Sequence, residues 1–516
     1  MGVYAGFGVA YSGGVGCCEV GGEAGEDVAQ VMARKKDALT IMITHEKALS
    51  NAHAIFARSH AVYGSPASPT KAGFFELAKA GKHTWNAWRT EYPEPAADFS
   101  GILFEEEINF SDYIFATNKD EQGPNFCGAR FMKLTRFRNA SFGRISDFKR
   151  AIFVEESDFS RARFGDDIEF GSVEFRKPTL FSAAKFGDGA DFSEARFKST
   201  SIFSKSEFGK HASFFRTEFG LRTVFVDSNF DADATFRGAT FGSLLNFNRS
   251  EFQGNCNFSA ENKEETKKEA RQFHSVNFGG CKFLGKADFS GREFRESTHF
   301  GPDIRENRKQ QTVFKGPVLF HSCKLHQDTC FDDAEFLSPP NPEAARSYRT
   351  LKLAMEQIKA SREEQRFFRL EMKSEHPSLP RGRRWISTLY SLFSDYGFSL
   401  WRPVIALLIF SLFLGAAYGL LANRCASDSE CKQAAIAANT TTGEERTSDL
   451  LKYTLASVAP VPGLDKMQTE LRAPLFGQHG WIAVTAVVLE IFHKIVALVM
   501  TFLFALALRN LFKMKS

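Results

Sequence analysis

Residues 181–203 read FSAAKFGDGADFSEARFKSTSIF, with phenylalanine at positions 181, 186, 192, 197 and 203. The steps between these phenylalanines alternate between five and six residues, and the alternation runs without interruption from Phe126 to Phe258. Apolar residues recur about every 3.6 positions in an amphipathic helix and about every 2 in a strand, so neither pattern produces this spacing. The alternation predicts an internal repeat in which every phenylalanine occupies the same structural slot.

Glycine and alanine positions predict the shape of one repeat. Glycine follows phenylalanine at positions 143, 165, 187 and 209, which are 22 residues apart. Four sides of five, six, five and six residues have the same length, so one coil is predicted to have four sides. Glycine is predicted at these corners because it adopts positive φ at little cost. Alanine often lies two residues before the phenylalanine, and alternating small and large inward side chains would fill a narrow core.

The repeat is predicted to span residues 97–337. Three breaks in the rhythm, at residues 118–124, 261–271 and 302–311, are interpreted as loops, and the second is charged enough to form a short exposed helix. The predicted core phenylalanines of the central coils are Phe142, Phe148, Phe153, Phe159, Phe164, Phe170, Phe192 and Phe197. Composition supports a single repeated aromatic slot, because the chain has 55 phenylalanines but only 10 tyrosines and 5 tryptophans.

The repeat unit resembles that of a known family. Ala190-Asp191-Phe192-Ser193-Glu194 and Ala287-Asp288-Phe289-Ser290-Gly291 resemble the unit Ala-Asp/Asn-Leu/Phe-X-X of the pentapeptide-repeat family. The regular sixth residue departs from this unit and resembles a phenylalanine-rich branch of the family. The resemblance covers residues 97–337 and implies a mainly β fold, a right-handed quadrilateral β-helix.

The segments that flank the repeat are predicted to be helical or disordered. A β-helix exposes backbone edges at both ends, so we expect α-helical caps. Residues 71–96, with the helical stretch 72–91, are predicted as the N-terminal cap, and residues 341–400 as the C-terminal cap and linker. Residues 1–70 are predicted to be a disordered N-terminal segment, because five glycines lie between positions 13 and 22.

The sequence carries no recognisable catalytic or nucleotide-binding motif, so we expect neither an enzyme nor a cofactor. Formal net charge is only +4, with 65 Lys and Arg against 61 Asp and Glu. This balance argues against a nucleic-acid partner, and against an acidic rod that imitates DNA.

One segment superficially resembles a zinc site, since His321, Cys323, His326 and Cys330 lie close together in the sequence. The repeat register argues against this interpretation. Cys323 lies two residues before the core position of Leu325, so it is predicted to occupy a small inward slot, whereas the two histidines should point outward on different sides. We therefore predict no metal site.

Residues 401–516 are predicted to form a membrane region. Residues 403–422 carry no charge and are long enough for a transmembrane helix. A second span is predicted at about residues 484–508, and it is apolar except for Glu490, His493 and Lys494. Residues 423–480 would form an external loop, in which Cys425 and Cys431 either close a disulfide or stay free thiols.

The polar residues of the second span have two interpretations. Glu490 and Lys494 are four residues apart, so they can form an ion pair on one helical face at the membrane interface. Alternatively, Glu490, His493 and Lys494 line an aqueous path. A short helix at 449–458 followed by a Pro/Gly turn at 459–464 resembles the span–pore helix–span layout of small cation channels, although the potassium-selectivity sequence is absent.

Arginine and lysine positions predict the orientation in the membrane. Arg381, Arg383, Arg384 and Arg402 precede the first span, and Arg509, Lys513 and Lys515 follow the second. The positive-inside rule then places both termini in the cytoplasm. Two-span C-terminal regions of this kind resemble those of bacterial pentapeptide-repeat proteins, which implies the bacterial inner membrane.

Two functional hypotheses follow. In the first, the chain is a scaffold anchored in the lipid bilayer, and the outer faces of its cytosolic β-helix bind an unidentified protein. In the alternative, the spans form a homo-oligomeric, channel-like assembly with the β-helix as a cytosolic sensor. The alternative requires oligomerisation, since two helices cannot enclose a pore.

Overall fold

The structure is a computed structural model that describes residues 28–118, 120–261, 271–305, 308–427, 443–458, 464–478 and 480–513. The chain divides into two compact units, Met1–Pro95 and Ala96–Ser516.

The described part of the first unit is mainly helical. Its helices are α1 (Val28–Arg58), α2 (His60–Tyr63), α3 (Lys71–Lys79) and α4 (Lys82–Glu91), and Gly64–Ser65 pairs antiparallel with Ser68–Pro69. The predicted helical stretch 72–91 is interrupted at Gly81, where φ is 92°. Trp85 and Trp88 are fully buried with ring centroids 5.3 Å apart, and the Trp88 indole N–H donates to the Pro66 carbonyl at 2.9 Å.

The predicted disorder of residues 1–70 is wrong for residues 28–70. Helix α1 buries Ala48, Ala52, Ile55 and Phe56, which recur at steps of four, three and one along one face. These residues pack within the first unit, and burial of an apolar face stabilises a helix beyond its intrinsic propensity. Residues 1–27, which carry the glycine-rich stretch, lie outside the described residues.

The second unit begins with short strands that pair in parallel with their counterparts in the neighbouring coils. Thr179, for example, pairs with Ser157 on one side and Ser201 on the other. Among the described residues, the largest sheet comprises Ile108–Asn109, Thr135–Arg136, Ser157–Asp158, Thr179–Leu180, Ser201–Ile202, Arg222–Val224, Leu244–Asn246, Ser275–Asn277, Thr298–His299 and Thr329–Cys330. A second sheet comprises Lys185–Phe186, Glu207–Phe208, Asn229–Phe230, Glu251–Phe252, Lys282–Phe283, Val313–Phe314 and Glu335–Phe336.

Further sheets complete the coils. One comprises Leu103–Phe104, Arg130–Phe131, Ile152–Phe153, Glu174–Phe175, Arg196–Phe197 and Glu218–Phe219, and the parallel pair Gln272–Phe273 and Glu293–Phe294 follows it along the chain. Another comprises Ala212–Ser213, Ala234–Thr235, Cys256–Asn257, Ala287–Asp288 and Val318–Leu319. Parallel pairing in each of these sheets is the arrangement expected of a β-helix.

The aspartate or asparagine of the repeat unit forms the tight turn after the phenylalanine. The backbone N–H of Lys149 donates to Asp147 Oδ1 at 2.7 Å, and the N–H of Ser193 donates to Asp191 Oδ1 at 2.8 Å. The next residue then adopts positive φ, as in Glu194 (59°). These turns lie in the five-residue steps, so the Asx turn accounts for the shorter side.

The glycine corners have a different cause from the one predicted. None of the glycines at positions 143, 165, 187 and 209 has positive φ, so that prediction is wrong. A Cβ at Gly187 would meet the carbonyl carbon of Gly165 at 2.6 Å, and a Cβ at Gly209 would meet Asp188 Oδ1 at 2.6 Å. Glycine is therefore needed because successive coils approach too closely for a side chain.

The core phenylalanines stack in columns along the β-helix. The Phe170 ring lies 4.8 Å from Phe148 and 4.7 Å from Phe192, with interplanar angles of 9° and 5°. Rings on different sides meet edge to face, as Phe170 and Phe181 do at 5.6 Å and 83°. The residues predicted as repeat core are 0 to 5% exposed: Phe142, Phe148, Phe153, Phe159, Phe164, Phe170, Phe192 and Phe197.

Arg292 replaces a missing backbone contact inside the β-helix. In uninterrupted coils the inward alanine's carbonyl accepts from the next coil, as Ala195 O does from Glu218 N at 2.8 Å. After Glu261 the chain leaves its coil, and the fully buried Arg292 donates through Nη1 to the Ala239 carbonyl at 2.9 Å. Burial lowers the pKa of Arg292 to about 9.

The described residues of the other two breaks form local structure, while the centre of the charged break, residues 262–270 of 261–271, lies outside the described residues. At 302–311 the chain forms an antiparallel hairpin, Asp303–Arg305 with Arg308–Gln310. In the 118–124 break, the Glu121 carboxylate accepts from Thr117 N at 2.7 Å and from Asn118 Nδ2 at 2.7 Å. Loops extruded from a repeat need such local hydrogen bonds because they leave the coil ladder.

Helices follow the β-helix. They are α5 (Pro342–Gln357), α6 (Ser361–Glu375), α7 (Arg381–Ser394), α8 (Trp401–Ser427), α9 (Gly443–Val458), α10 (Leu464–Phe476) and α11 (Trp481–Lys513), with a 3₁₀ turn at His376–Ser378. Among the described residues, α8 and α11 are long and apolar enough to cross a membrane. They contain the predicted spans at 403–422 and 484–508.

Replacing a core phenylalanine should destabilise the β-helix far more than replacing its exposed neighbour. Phe214 is fully buried, whereas Phe215 is partly exposed beside Arg216. We expect F214A to lower the free energy of unfolding by about 3–5 kcal/mol, because it leaves a cavity between stacked rings. F215A should cost less than about 1 kcal/mol. Denaturant unfolding of both variants in detergent tests this, and equal losses would contradict the inward assignment.

Candidate functional site in the helices after the repeat

Helices α8 and α11 are joined by a buried cluster to α9 and α10, which lie between them in the sequence. The cluster contains Leu414, Tyr418, Ala422 and Cys425 of α8, Tyr453 of α9, Leu475 and Phe476 of α10, and Ile482 and Ala486 of α11. The Tyr453 ring lies 5.2 Å from both the Tyr418 ring and the Phe476 ring. Helices α9 and α10 therefore pack beside the apolar helices instead of extending away from them.

Two glycines of α8 allow this close packing. Gly415 and Gly419 are four residues apart, which places them on one face of the helix. A Cβ at Gly415 would meet Thr454 Cγ2 at 3.3 Å, and a Cβ at Gly419 would meet Leu450 Cδ2 at 3.4 Å. Small residues at this spacing let helix backbones approach, and here the partner helix is α9 of the same chain.

Glu490 lies at the centre of a polar network in this region. Its carboxylate accepts a hydrogen bond from the Tyr453 hydroxyl at 2.7 Å and from Arg472 Nη2 at 2.7 Å, and it pairs with Lys494 Nζ at 3.1 Å. The Glu490 side chain is only 6% exposed, whereas those of Arg472 and Lys494 are 32% and 40% exposed. A carboxylate this deeply buried requires charged partners, and two cations supply them.

Tyr453 is the neutral donor of the network. Burial, and then the hydrogen bond to Glu490, raise the pKa of the Tyr453 hydroxyl. The hydroxyl therefore keeps its proton at physiological pH and continues to donate. Helix α9 is held further by Ser457, whose Oγ donates to the Tyr453 carbonyl at 3.0 Å and lies beside Gln468 of α10.

His493 and Lys494 do not share one environment. His493 is fully buried, with Nε2 3.0 Å from Ser411 Oγ of α8 and its ring stacked 6.2 Å from the Tyr418 ring. Lys494 reaches Glu490 from a partly exposed position. Of the three residues predicted together, Glu490 and Lys494 are in direct contact, and His493 instead connects α11 to α8.

The geometry does not arrange the three residues as the lining of an aqueous path within one chain. Glu490 is enclosed by Tyr453 and Arg472, neither of which the sequence analysis assigned to a site. Both lie on helices that are separate from α11 in the sequence, so no local spacing connects them to Glu490. Together these residues join three helices, α9, α10 and α11, at one carboxylate.

The cysteines are in different environments. Cys425 is buried and disulfide-bonded, but its predicted partner Cys431 lies outside the described residues, so the pairing stays a prediction. The Cys323 thiol donates to the Phe289 carbonyl at 3.1 Å, and burial raises its pKa to about 12. Zinc binds the thiolate form, which this environment disfavours. Among the described residues, no group of three or more His, Cys, Asp or Glu side chains could hold a metal ion.

Parallel strands with stacked inward phenylalanines, followed by two apolar helices, define a repeat protein with a β-helix. A family model described as pentapeptide repeats (9 copies) matches residues 126–174 and 170–218. Residues 126–218 therefore carry pentapeptide repeats, and these repeats are phenylalanine-rich. Neither the curated proteins nor the solved structures include a match to this chain.

Removing the charge of Glu490 should destabilise the helical region. We expect E490Q to lower the free energy of unfolding by about 3 kcal/mol, because it leaves two cations without their carboxylate. This value is near the lower limit for breaking a buried ion pair, since Arg472 and Lys494 keep some solvent access. E470Q, at an exposed position of α10, is the matched control and should have almost no effect. Thermal unfolding in detergent measures both.

A second substitution separates charge imbalance from simple loss of packing. Adding R472M to E490Q removes one uncompensated cation, so the double variant should recover part of the lost stability. R472M is also measured alone in the wild type. If R472M lowers the free energy of unfolding equally in the wild type and in E490Q, Glu490 and Arg472 are not coupled.

Proposed function

We propose that this protein is a membrane-anchored scaffold whose β-helix presents its outer faces to a protein partner. In this proposal α8 and α11 cross the bacterial inner membrane, and both termini lie in the cytoplasm. The basic residues Arg402 and Arg509, at the ends of these helices that adjoin α7, support that orientation. Pentapeptide-repeat proteins are generally structural, which agrees with the lack of a catalytic motif.

The observation that carries the proposal is the continuous packing from the last coil to the apolar helices. The Phe331 and Phe336 rings contact Phe367 of α6 at 5.3 and 5.6 Å. From the same helix, Gln365 Nε2 donates to the carbonyl of Asn510 in α11 at 3.1 Å. The β-helix is thus joined to the proposed anchor by packed side chains, which is what a scaffold with a fixed orientation requires.

The finer geometry of the β-helix is part of the proposal. We propose a right-handed, four-sided coil of 22 residues, and the register that pairs Thr179 with Ser201 supports this length. Helices α5 and α6 would cap its C-terminal end, since Tyr348 and Phe367 cover Phe336.

The charge on the outer faces supports a protein partner. Oppositely charged side chains alternate between neighbouring coils, as in Lys185–Glu207 at 2.7 Å and Lys198–Glu218 at 3.2 Å. Exposed pairs like these contribute little stability, but their pattern can select a complementary surface. A duplex nucleic acid would instead need a face of one sign.

The channel-like alternative depends on assembly. Its candidate polar residues are engaged within one chain, since Tyr453 and Arg472 enclose Glu490, so we prefer the anchor. A closed ring found by native mass spectrometry of the detergent-solubilised protein would favour the alternative.

A charge in the middle of α8 should prevent membrane integration. Leu412 is 76% exposed near the centre of α8, whereas Leu353 is 49% exposed on α5. Arginine at the centre of a transmembrane helix costs about 3 kcal/mol of insertion free energy. We expect L412R to reduce the carbonate-resistant membrane fraction and L353R to leave it unchanged. If α8 instead belonged to a soluble domain, an arginine at this exposed position would not change the carbonate-resistant membrane fraction. That result would contradict the anchor.

Inverting a surface ion pair should change partner binding without unfolding the β-helix. The double variant R196E/E218R keeps opposite charges at positions 196 and 218, removes the exposed pair of Lys198 with Glu218, and reverses the pattern that a partner meets. K185E/E207K makes the same change on a different sheet. We expect one of these variants to lose a protein that the wild type captures from its native membranes, with unchanged thermal stability. Identical captured proteins for both variants would argue against recognition through these two sides.

A further inference from the structure

Helix α7 presents an apolar face that nothing in the described chain covers. Trp385 is 71% exposed, Ile386 70%, Leu389 47% and Leu392 61%. At about 100° per residue, Trp385, Leu389 and Leu392 share one side of the helix. Soluble helices rarely leave so many large apolar side chains together on the surface, so this face requires a partner.

The opposite side of α7 is already occupied. Ser387 and Ser394 are buried, and Ser387 Oγ lies 3.3 Å from the Tyr396 hydroxyl. Arg402 of α8 donates through Nη1 to the Ser391 carbonyl at 3.1 Å. The orientation of α7 about its own axis is therefore fixed, and its apolar face points away from the contacts that hold it.

The charges of α7 are concentrated at its start. Arg381, Arg383 and Arg384 lie in the first turn and are exposed, and the helix contains no acidic residue. Cations at this end oppose the helix dipole, so they do not serve to stabilise the helix. Arg384 donates to the Pro377 carbonyl at 2.6 Å, which leaves Arg381 and Arg383 as the cations directed outward.

Helix α7 lies beside the ends of the two apolar helices. The turn after α7 is held by Asn510 of α11, whose Nδ2 donates to the Gly397 carbonyl at 3.2 Å. Trp401, which begins α8, is 73% exposed. The apolar face of α7 is thus followed directly in the sequence by the exposed apolar surface of α8. Both lie near the ends of α8 and α11 that carry Arg402 and Arg509.

We infer that α7 lies in the membrane surface and binds the headgroups of anionic phospholipids through Arg381 and Arg383. The inference rests on the proposed anchoring by α8 and α11. An apolar face with a tryptophan, next to exposed arginines, matches a helix that lies in the interface plane. The positive charge selects anionic headgroups, because such lipids attract basic segments close to the bilayer. Bound in this way, α7 fixes the height of α5 and α6, and with them the β-helix, above the bilayer.

Tryptophan quenching by brominated lipids tests the inference in the full-length protein. The protein is reconstituted in nanodiscs whose acyl chains carry bromine near the headgroup end or near the methyl end. The chain has 5 tryptophans, and Trp85 and Trp88 are buried in the first unit. The W385F variant isolates the signal of Trp385, and the W401F/W481F variant removes those at the starts of α8 and α11.

Three results are expected. Bromine near the headgroup end should quench Trp385 more strongly than bromine near the methyl end. Anionic lipid should increase this quenching, and R381Q/R383Q should remove more than half of the increase. R161Q/R163Q, which removes the same charge from exposed positions of the β-helix, should leave it unchanged.

Separate outcomes distinguish the inference from the proposed function. If Trp401 and Trp481 are quenched but W385F shows the same total quenching as the wild type, Trp385 does not contact lipid. The inference is then overturned, and the anchor stands. If no tryptophan is quenched, both fail. A photo-crosslinker at Leu389 provides an independent measurement that does not depend on Trp385. Adducts with lipid support the inference, whereas adducts with a second copy of the chain overturn it.

Discussion

The structure depends on the parallel hydrogen bonds that join each coil of the β-helix to the next. The Phe170 N–H donates to the Asp191 carbonyl at 2.7 Å, and the equivalent Phe192 N–H donates to Ser213 at 2.7 Å. This ladder sets the coil spacing at strand distance, and the phenylalanine rings inside must stack at the same spacing. It also explains why alanine fills the other inward positions and why no side chain fits at the corners near Gly187 and Gly209.

Interruptions of the ladder are tolerated where other groups satisfy the exposed backbone. Arg292 donates to the Ala239 carbonyl beside the break at 261–271. Arg249 joins the hairpin at 303–310 to the coils, because it pairs with both Asp303 and Asp227. Buried polar backbone left without a partner is costly, so Arg292 takes the place of the missing strand at the Ala239 carbonyl, whereas Arg249 holds its hairpin through ion pairs with carboxylates. Arginine suits this task, since its fork reaches several acceptors at once.

The transition from strands to helices links the repeat to the apolar helices. Phe367 closes the phenylalanine columns from α6, while Arg369 on the same helix pairs with Asp395 at the end of α7. Beyond that point, the polar network around Glu490 joins α9, α10 and α11, and the contact of His493 with Ser411 joins α11 to α8. Movement of one of these helices would disturb the others, because a buried carboxylate separated from its cations is strongly unfavourable. A partner bound to the β-helix would therefore act on a body that is packed continuously toward the proposed membrane anchor.

The sequence by itself determined the elements whose signal is local. The alternating phenylalanine spacing specified the β-helix, and two long apolar stretches specified α8 and α11, because both patterns repeat over short distances. Sequence patterns did not predict α1, whose buried face follows a glycine-rich start. They also gave the wrong reason for the corner glycines, where the constraint is the close approach of the neighbouring coil. The partners of Glu490, the role of Arg292 and the exposed face of α7 were decided only by the tertiary structure. Each depends on residues distant in sequence that the fold brings within hydrogen-bonding distance, or on which side of a helix its neighbours leave uncovered.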